Sequence, residues 1–451
     1  MTDAPMDDTT RTVATPFGPV VAAVSHRDGV VRARGIRYAE ADRFAAPRRT
    51  APTTEPFRAE TQAPASPQLS SPAIEVLLAG AGADMTASED CLRLTVTAPV
   101  DVQADERLPV MVWIHGGSYV TGAGDVDIYD PVSFVTEQRV VVVGVTYRLG
   151  MFGFLGDGAH VPANLGLLDI LAALGWVQDC IASFGGDPDL VTLFGQSSGA
   201  DAIAHLMISD GAAGLFRRVV VQSAPLGLGR RRAAMSRAML RATGIPSRTA
   251  PTDEVLALQP RAERAALRFG LRGGMPFGTQ YGHAPLPGEV DRERAWEAVA
   301  PDVDLLIGST SEETGLYAVL VAPVRYLGRV PLVGRLLRRW LVRATTHRIY
   351  TADARRFAAR HRAAGGRAVS YELHWAPEGS ELGPAHITDL PLLLGTERAW
   401  SGTALIGTTP WAEIDRRGRR VRALWAEFAR TGTLAPDAAA GMRDTIRILE
   451  D

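Results

Sequence analysis

The chain has 451 residues, enough for one large domain or up to about three small ones, and its 46% hydrophobic and 22% charged content is that of a globular protein. A formal net charge of −2 gives no general pull toward nucleic acid or an anionic surface. All 48 basic residues counted as Lys+Arg are arginines, which excludes a pyridoxal Schiff base, a P-loop and a Ser-x-x-Lys hydrolase and suggests a GC-rich bacterial source.

Residues 1–13 are polar and read as a disordered tail, with neither the basic nor the apolar region of an export signal. Residues 15–24 read as a small hairpin, and 45–75, rich in Pro, Thr and Ser, as irregular surface. In 88–96 the spacing of Leu92, Leu94 and Val96 predicts a strand with one buried face. The preceding Glu89 and Asp90 are expected to form a buried acidic pair held by arginines. Cys91 and Cys180 are the only cysteines and have no partners at metal-ligand spacing, so no metal site and no disulfide framework is expected. Two reduced cysteines point to the cytoplasm.

Residues 109–114 (Pro-Val-Met-Val-Trp-Ile) are fully apolar and predict a central strand, ending in His115-Gly116-Gly117-Ser118-Tyr119. Residues 140–145 predict another core strand, and 167–183 a helix packed through Trp176. No uncharged apolar run reaches the roughly 18 residues of a transmembrane helix. Leu190 to Phe194 then read as a short buried strand, Gly195-Gln196-Ser197-Ser198-Gly199 fits G-x-S-x-G, and 200–208 read as a helix. Strand, tight turn and helix together are the setting of a nucleophile elbow, which lifts the Ser197 hydroxyl above the sheet edge.

Residues 217–221 predict a strand, followed by Gln222-Ser223-Ala224; 228–270 suggest helices, and 273–287 form a Gly/Pro-rich loop. A strand at 305–307 leads to the adjacent acids Glu312 and Glu313. The segment 324–343 carries Arg325, Arg329, Arg335, Arg338, Arg339 and Arg343 and no acid, interleaved with Tyr326 and Trp340. It reads as a cap helix with solvated or paired arginines; the alternative is a weak contact with a membrane surface. Of nine histidines, His386 stands on the Gly/Pro loop Gly383-Pro384-Ala385-His386, whereas His205 reads as helix packing.

The approach to the elbow, Asn164-Leu165-Gly166-Leu167-Leu168-Asp169, Gly175-Trp176-Val177 and Phe184-Gly185-Gly186-Asp187-Pro188, resembles the type-B carboxylesterases. That family includes carboxylesterases, cholinesterases and bacterial p-nitrobenzyl esterases. The segments 35–39, 88–96, 115–119 and 383–391 carry the same resemblance, as does 421–434 with Trp425, Phe428 and Gly432, which resembles a C-terminal helix of the family; the whole spans roughly residues 15–435. It implies an α/β-hydrolase fold over 14–451, a mostly parallel sheet flanked by helices, with cap insertions near 228–290 and 318–365. It places a catalytic triad at Ser197, Glu313 and His386. Thr314 stands where relatives have glycine, so Glu312 remains the alternative acid. The oxyanion hole falls on Gly116, Gly117, Ser118 and Ser198, with His115 a structural residue beneath it and Arg148 a buried salt-bridge partner. Ser223 would support the acid. Gln196 replaces the usual glutamate, implying weaker stabilisation of an imidazolium and less preference for cationic alcohols.

The implied enzyme is a serine carboxylesterase that forms an acyl-enzyme on Ser197 and needs neither metal nor organic cofactor. Its partner is a small ester, not nucleic acid, and it acts in the cytoplasm as a monomer or homodimer without stable membrane insertion. The same residues would serve an acyltransferase or a dedicated ester or carbamate hydrolase. Non-catalytic binding homologues also exist in the family, but those typically lose the nucleophile.

Overall fold

The computed structural model describes residues 9–70, 85–320, 324, 333–435 and 441–449. Among the described residues one sheet has twelve strands, eleven of them side by side: β1 (Thr9–Thr15), β2 (Gly18–Ser25), β3 (Val30–Arg37), β4 (Arg93–Pro99), β5 (Leu108–Ile114), β6 (Val141–Val145), β7 (Gly186–Gln196), β8 (Arg218–Gln222), β9 (Asp304–Thr310), β10 (Ala368–Leu373) and β11 (Ile446–Leu449). Their spatial order is β1-β2-β3-β4-β6-β5-β7-β8-β9-β10-β11, with Phe57–Ala59 beside β2. From β6 to β10 neighbouring strands are parallel; both flanks are antiparallel. Parallel strands are covered on both faces, which is why β5 and β6 read as unbroken apolar runs.

In the central strands, side-chain alternation sends successive residues into two different cores. Val110, Val112 and Ile114 of β5 enter one, with Val219 and Val221 of β8. Met111 and Trp113 enter the other, with Phe194 of β7 and Val220. The first core is covered by α1 (Leu165–Cys180), α2 (Ser198–Leu206) and α3 (Ala233–Thr243), and by α5 (Ala352–Ala363), which follows α4 (Gly334–Thr346). The second is covered by α6 (Trp411–Thr431), through Val421, Leu424, Trp425 and Phe428. Gly432 ends α6 in the left-handed region at φ 71°, its N–H donating to the Phe428 carbonyl at 2.8 Å.

Four sequence expectations are corrected. Residues 9–13 are not tail: they belong to β1, which pairs with β2 from Thr9 to Thr15, so the hairpin starts earlier than 15. Glu89 and Asp90 are held by arginines but are not buried together. Glu89 pairs with Arg43, while Asp90 is exposed and takes Arg37 and Arg93, each at 2.6 Å. The strand leading to Ser197 begins at Gly186 rather than 190, and the helix after it at Ser198 rather than 200. The C-terminal helix begins at Trp411 rather than 421. Helix α1 with its extension to Phe184 is long and apolar enough to cross a membrane by composition. Here it packs as a core helix, with buried Asp169 bonded by Arg148 at 2.6 and 2.8 Å.

Candidate active site

The site is built at the carboxyl ends of β7, β9 and β10, where side chains of a parallel sheet converge. At the tip of β7, Ser197 has φ 59° and ψ −127°, a region that costs a non-glycine residue about 1–3 kcal/mol. The surroundings hold it there. Its N–H donates to the Gln222 carbonyl, and its carbonyl accepts from the Asp201 N–H, both at 2.9 Å. A Cβ on Gly195 would lie 2.6 Å from the Ile114 carbonyl oxygen, and one on Gly199 2.0 Å from it. Only glycines let β7, α2 and β5 meet this closely.

Ser197 Oγ is 2.8 Å from His386 Nε2, and His386 Nδ1 bonds Glu313 Oε2. The second oxygen, Glu313 Oε1, accepts the Thr310 N–H at 2.6 Å. All three side chains are buried. The carboxylate holds the proton on Nδ1 and leaves Nε2 free to accept from the serine. Backbone bonds tie the two loops together: His386 N–H to the Glu313 carbonyl, and Glu312 N–H to the Pro384 carbonyl, each at 3.1 Å. Glu312 points the other way. Its Oε1 lies 3.6 Å from Arg339 Nε and 3.7 Å from Arg343 Nε on α4. The geometry therefore separates two acids that the sequence leaves as alternatives.

Thr314, in place of glycine, bonds α4. Its hydroxyl donates to the Val342 carbonyl at 2.9 Å and lies 2.7 Å from Thr345 Oγ1, and its N–H donates to Thr346 Oγ1 at 3.2 Å. Gly315, one residue later, provides the close approach instead, since a Cβ there would lie 2.5 Å from the Leu382 carbonyl oxygen. Tyr350 and Tyr317 rest against the His386 ring, with centroids 5.3 and 5.9 Å away. Burial pushes the Tyr350 phenol well above its ordinary pKa, so it stays neutral beside the imidazole. Sequence reading missed both tyrosines because they lie in cap segments without a motif.

The Gln196 amide is 3.2 Å from His386 Nε2 and 3.4 Å from Nδ1. Both ring nitrogens are already engaged in the ring plane, so the amide rests against the ring. Ser223 N–H donates to the Gly308 carbonyl at 2.8 Å, but among the described residues its buried hydroxyl has no partner. The expected support of the acid by Ser223 therefore involves no hydrogen bond from this hydroxyl among the described residues. The buried Asp389 instead accepts from Gln222 Nε2 at 2.6 Å, and Gln222 Oε1 accepts from Trp425 Nε1 at 3.2 Å. Burial first, then the Glu313 charge, push the Asp389 carboxyl up to about 6.

Opposite the serine, Gly117, Ser118 and Tyr119 have positive φ of 113°, 55° and 61°. The Gly116 and Gly117 carbonyls are anchored. His115 Nδ1 lies 2.8 Å from the Gly116 carbonyl oxygen, and the Gly117 carbonyl accepts from Val120 and Thr121 at 3.0 and 3.1 Å. In a trans peptide the N–H points opposite to the C=O. Those two anchors therefore aim the Gly117 and Ser118 N–H groups away from the anchors, toward the site. Among the described residues, the N–H groups of Gly117, Ser118 and Ser198 have no acceptor, which is the nest of free donors that suits an oxyanion. Tyr119 N–H is taken up by Ser198 Oγ at 3.2 Å. Gly116 lies against Ser197, a Cβ there falling 3.1 Å from Ser197 Cβ. Burial lowers the His115 pKa to about 4. It is a neutral ring stacked 4.5 Å from Tyr147, and it supports the loop.

A cavity of about 480 Å³ opens at Ser197 and Ser118, lined mainly by apolar groups that include Leu228, Leu271, Met275, Val342 and Ile349. The expected loop 273–287 contributes Gly273, Gly274 and Met275 to its wall. Of the Arg-rich segment, Arg325 and Arg329 lie outside the described residues, and Arg338, Arg339 and Arg343 lie on α4.

The profile of the Carboxylesterase family matches residues 9–327. The probable N-octanoylanthranilate hydrolase AqdA2 of Rhodococcus erythropolis is 36% identical over 90% of this chain and 90% of its own. The para-nitrobenzyl esterase of Bacillus subtilis is 33% identical over 78% of this chain and 76% of its own. Among solved structures, a thermophilic PNB esterase superposes with a TM-score of 0.77 at 29% identity, covering 95% of this chain and 92% of that one. The fold is that of an α/β-hydrolase, and the chain belongs to the carboxylesterase family and is a serine carboxylesterase.

Proposed function

We propose that Ser197 attacks the ester carbonyl, with His386 as the base and Glu313 holding the base. The observation that carries this is the Ser197–His386–Glu313 relay at the foot of an apolar cavity. His386 Nε2 takes the serine proton, the acyl carbon bonds to Oγ, and the oxyanion is received by the N–H groups of Gly117, Ser118 and Ser198. Losing one such donor typically costs about 2.7–4 kcal/mol. The imidazolium then protonates the departing alkoxide, leaving an acyl-enzyme, and a water activated by the same ring releases the acid.

The cavity wall supports an apolar acyl group of medium length as the bound half of the substrate. The neutral Gln196 beside the base fits an uncharged leaving group. In this proposal, the hydrolase domain runs from β1 at Thr9 rather than from residue 14, with 228–290 and 318–365 as its cap; Leu271 and Val342 from the two insertions both line the cavity. Action in the cytoplasm, as a monomer or homodimer, belongs to the same proposal, and two unpaired, buried cysteines support it. A second reading, cleavage of an N-acyl arylamide, is favoured by the relative AqdA2, a probable hydrolase of N-octanoylanthranilate, which carries an octanoyl group.

The test is kcat/KM on p-nitrophenyl esters from acetate to dodecanoate, with N-octanoylanthranilate alongside and Ser197→Ala as control. Turnover should vanish in the variant and peak at intermediate chain length. A flat chain-length profile would remove the acyl assignment, and turnover surviving in Ser197→Ala would remove the nucleophile.

A further inference from the structure

The cavity mouth is bounded by two elements that expose large apolar side chains. On one side are Leu267 and Leu271, 67% and 47% exposed. On the other, α4 exposes Leu336, Leu337 and Trp340 at 70%, 47% and 65%. Leu336, Trp340 and Arg343 fall at helical spacing on the outer face, while Leu341, Val342 and Thr345 turn inward and line the cavity. The apolar rim is therefore continuous with the apolar cavity.

The same rim is basic. Arg338, Arg339 and Arg343 lie on α4, whose sequence contains no acid, and Arg268 and Arg272 flank the opposite leucines. Among the described residues, the acid reaching these α4 arginines is Glu312, at 3.6 and 3.7 Å, and Arg339 and Arg343 remain 62% and 60% exposed. The whole chain carries only −2, so the positive character is local. Arginines interleaved with exposed leucine and tryptophan on one short helix match the chemistry of a phospholipid interface. The guanidinium groups meet phosphates, and the apolar side chains enter the boundary below the headgroups. A second copy fits poorly, because a two-fold contact would set this arginine rim against itself.

We propose that the rim formed by α4 and the Leu267–Leu271 turn docks on an anionic lipid bilayer, presenting the cavity mouth to the membrane. An apolar ester then enters from the bilayer without crossing water. Docking does not depend on the assignment of the nucleophile, and its test reads binding rather than turnover.

The full chain is mixed with large vesicles of phosphatidylcholine containing either no phosphatidylglycerol or about 30% of it. Partitioning is measured by co-sedimentation and tryptophan emission. Binding to the anionic vesicles is expected, with a blue shift that Trp340→Phe removes. Arg339→Gln with Arg343→Gln should lower the partition coefficient about tenfold or more, and Leu336→Gln with Trp340→Gln should do the same. All these variants should keep hydrolysis of soluble p-nitrophenyl acetate, which shows that they fold. Equal binding to both vesicle types, binding to neither, or a solution dimer broken by Trp340→Gln without any vesicle binding would overturn the proposal.

Discussion

Replacing Glu313 with glutamine keeps the shape of the side chain and removes its charge. Both carboxylate oxygens are engaged, one by His386 Nδ1 and the other by the Thr310 N–H at 2.6 Å, and the group is fully buried. A glutamine must turn its NH₂ toward one of them. Turned toward His386, it donates to Nδ1 and drives the ring proton to Nε2. That nitrogen then faces Ser197 Oγ at 2.8 Å as a donor and cannot take the hydroxyl proton. Turned toward Thr310, it sets two buried donors against each other, at a cost of about 1–3 kcal/mol. The equivalent acid-to-amide change in a Ser-His-Asp triad lowers kcat about 10⁴-fold, roughly 5.5 kcal/mol at about 1.36 per decade. The expectation for Glu313→Gln is a loss of that order. Glu312→Gln removes only two long contacts to mostly exposed arginines, worth about 0–1 kcal/mol, and should leave kcat within about threefold. Pre-steady-state release of p-nitrophenol from p-nitrophenyl butyrate, with circular dichroism to confirm the fold, separates the two. Equal losses in both variants, or Glu313→Gln retaining more than about a tenth of kcat, would refute the reasoning.

Three further outcomes are expected. His115→Phe keeps the stack on Tyr147 but loses the bond to the Gly116 carbonyl. A buried bond of this kind is worth about 1–3 kcal/mol. Steady-state kinetics should show kcat down about 10–100-fold with KM little changed, and an unaltered kcat would contradict the anchoring argument. Thr314→Gly removes the hydroxyl bonds to Val342 and Thr345 and adds chain entropy. Urea unfolding should show a loss of about 1.5–3 kcal/mol, together with faster proteolysis at α4; normal protection of α4 would argue against the tether. Asp389 titrates near 6 in the fold and near 4 in an unfolded chain. The native state therefore holds a proton that the unfolded chain has released. The stability this confers is complete below about pH 4 and is lost as pH rises through about 6, an effect of up to about 3 kcal/mol. Thermal melts of Asp389→Asn from pH 4 to 8 should lack that part of the decline, and an unchanged pH slope would sink the assignment.

Sequence alone settled what is contiguous. The elbow is legible because strand, turn and helix occupy one run of residues, and the glycines flanking Ser197 are forced by local contacts. The central strands are legible because burial on both faces writes itself as an unbroken apolar run, as in β5. Strand β1 was not legible. Most of its side chains are exposed and polar, and its order comes from pairing with β2, a partner that composition does not reveal. The same holds for the two adjacent acids. Nothing within Ser311-Glu312-Glu313-Thr314 says which carboxylate turns inward. The choice is made by the Pro384 carbonyl on the Glu312 N–H and by the Thr310 N–H on Glu313. Tertiary structure alone also seated Tyr350 against His386, left the Ser223 hydroxyl without a partner among the described residues and tied Thr314 to α4. A motif records the bonds a short stretch makes with itself. A buried carboxylate or hydroxyl is placed by whichever donors the rest of the chain brings to it.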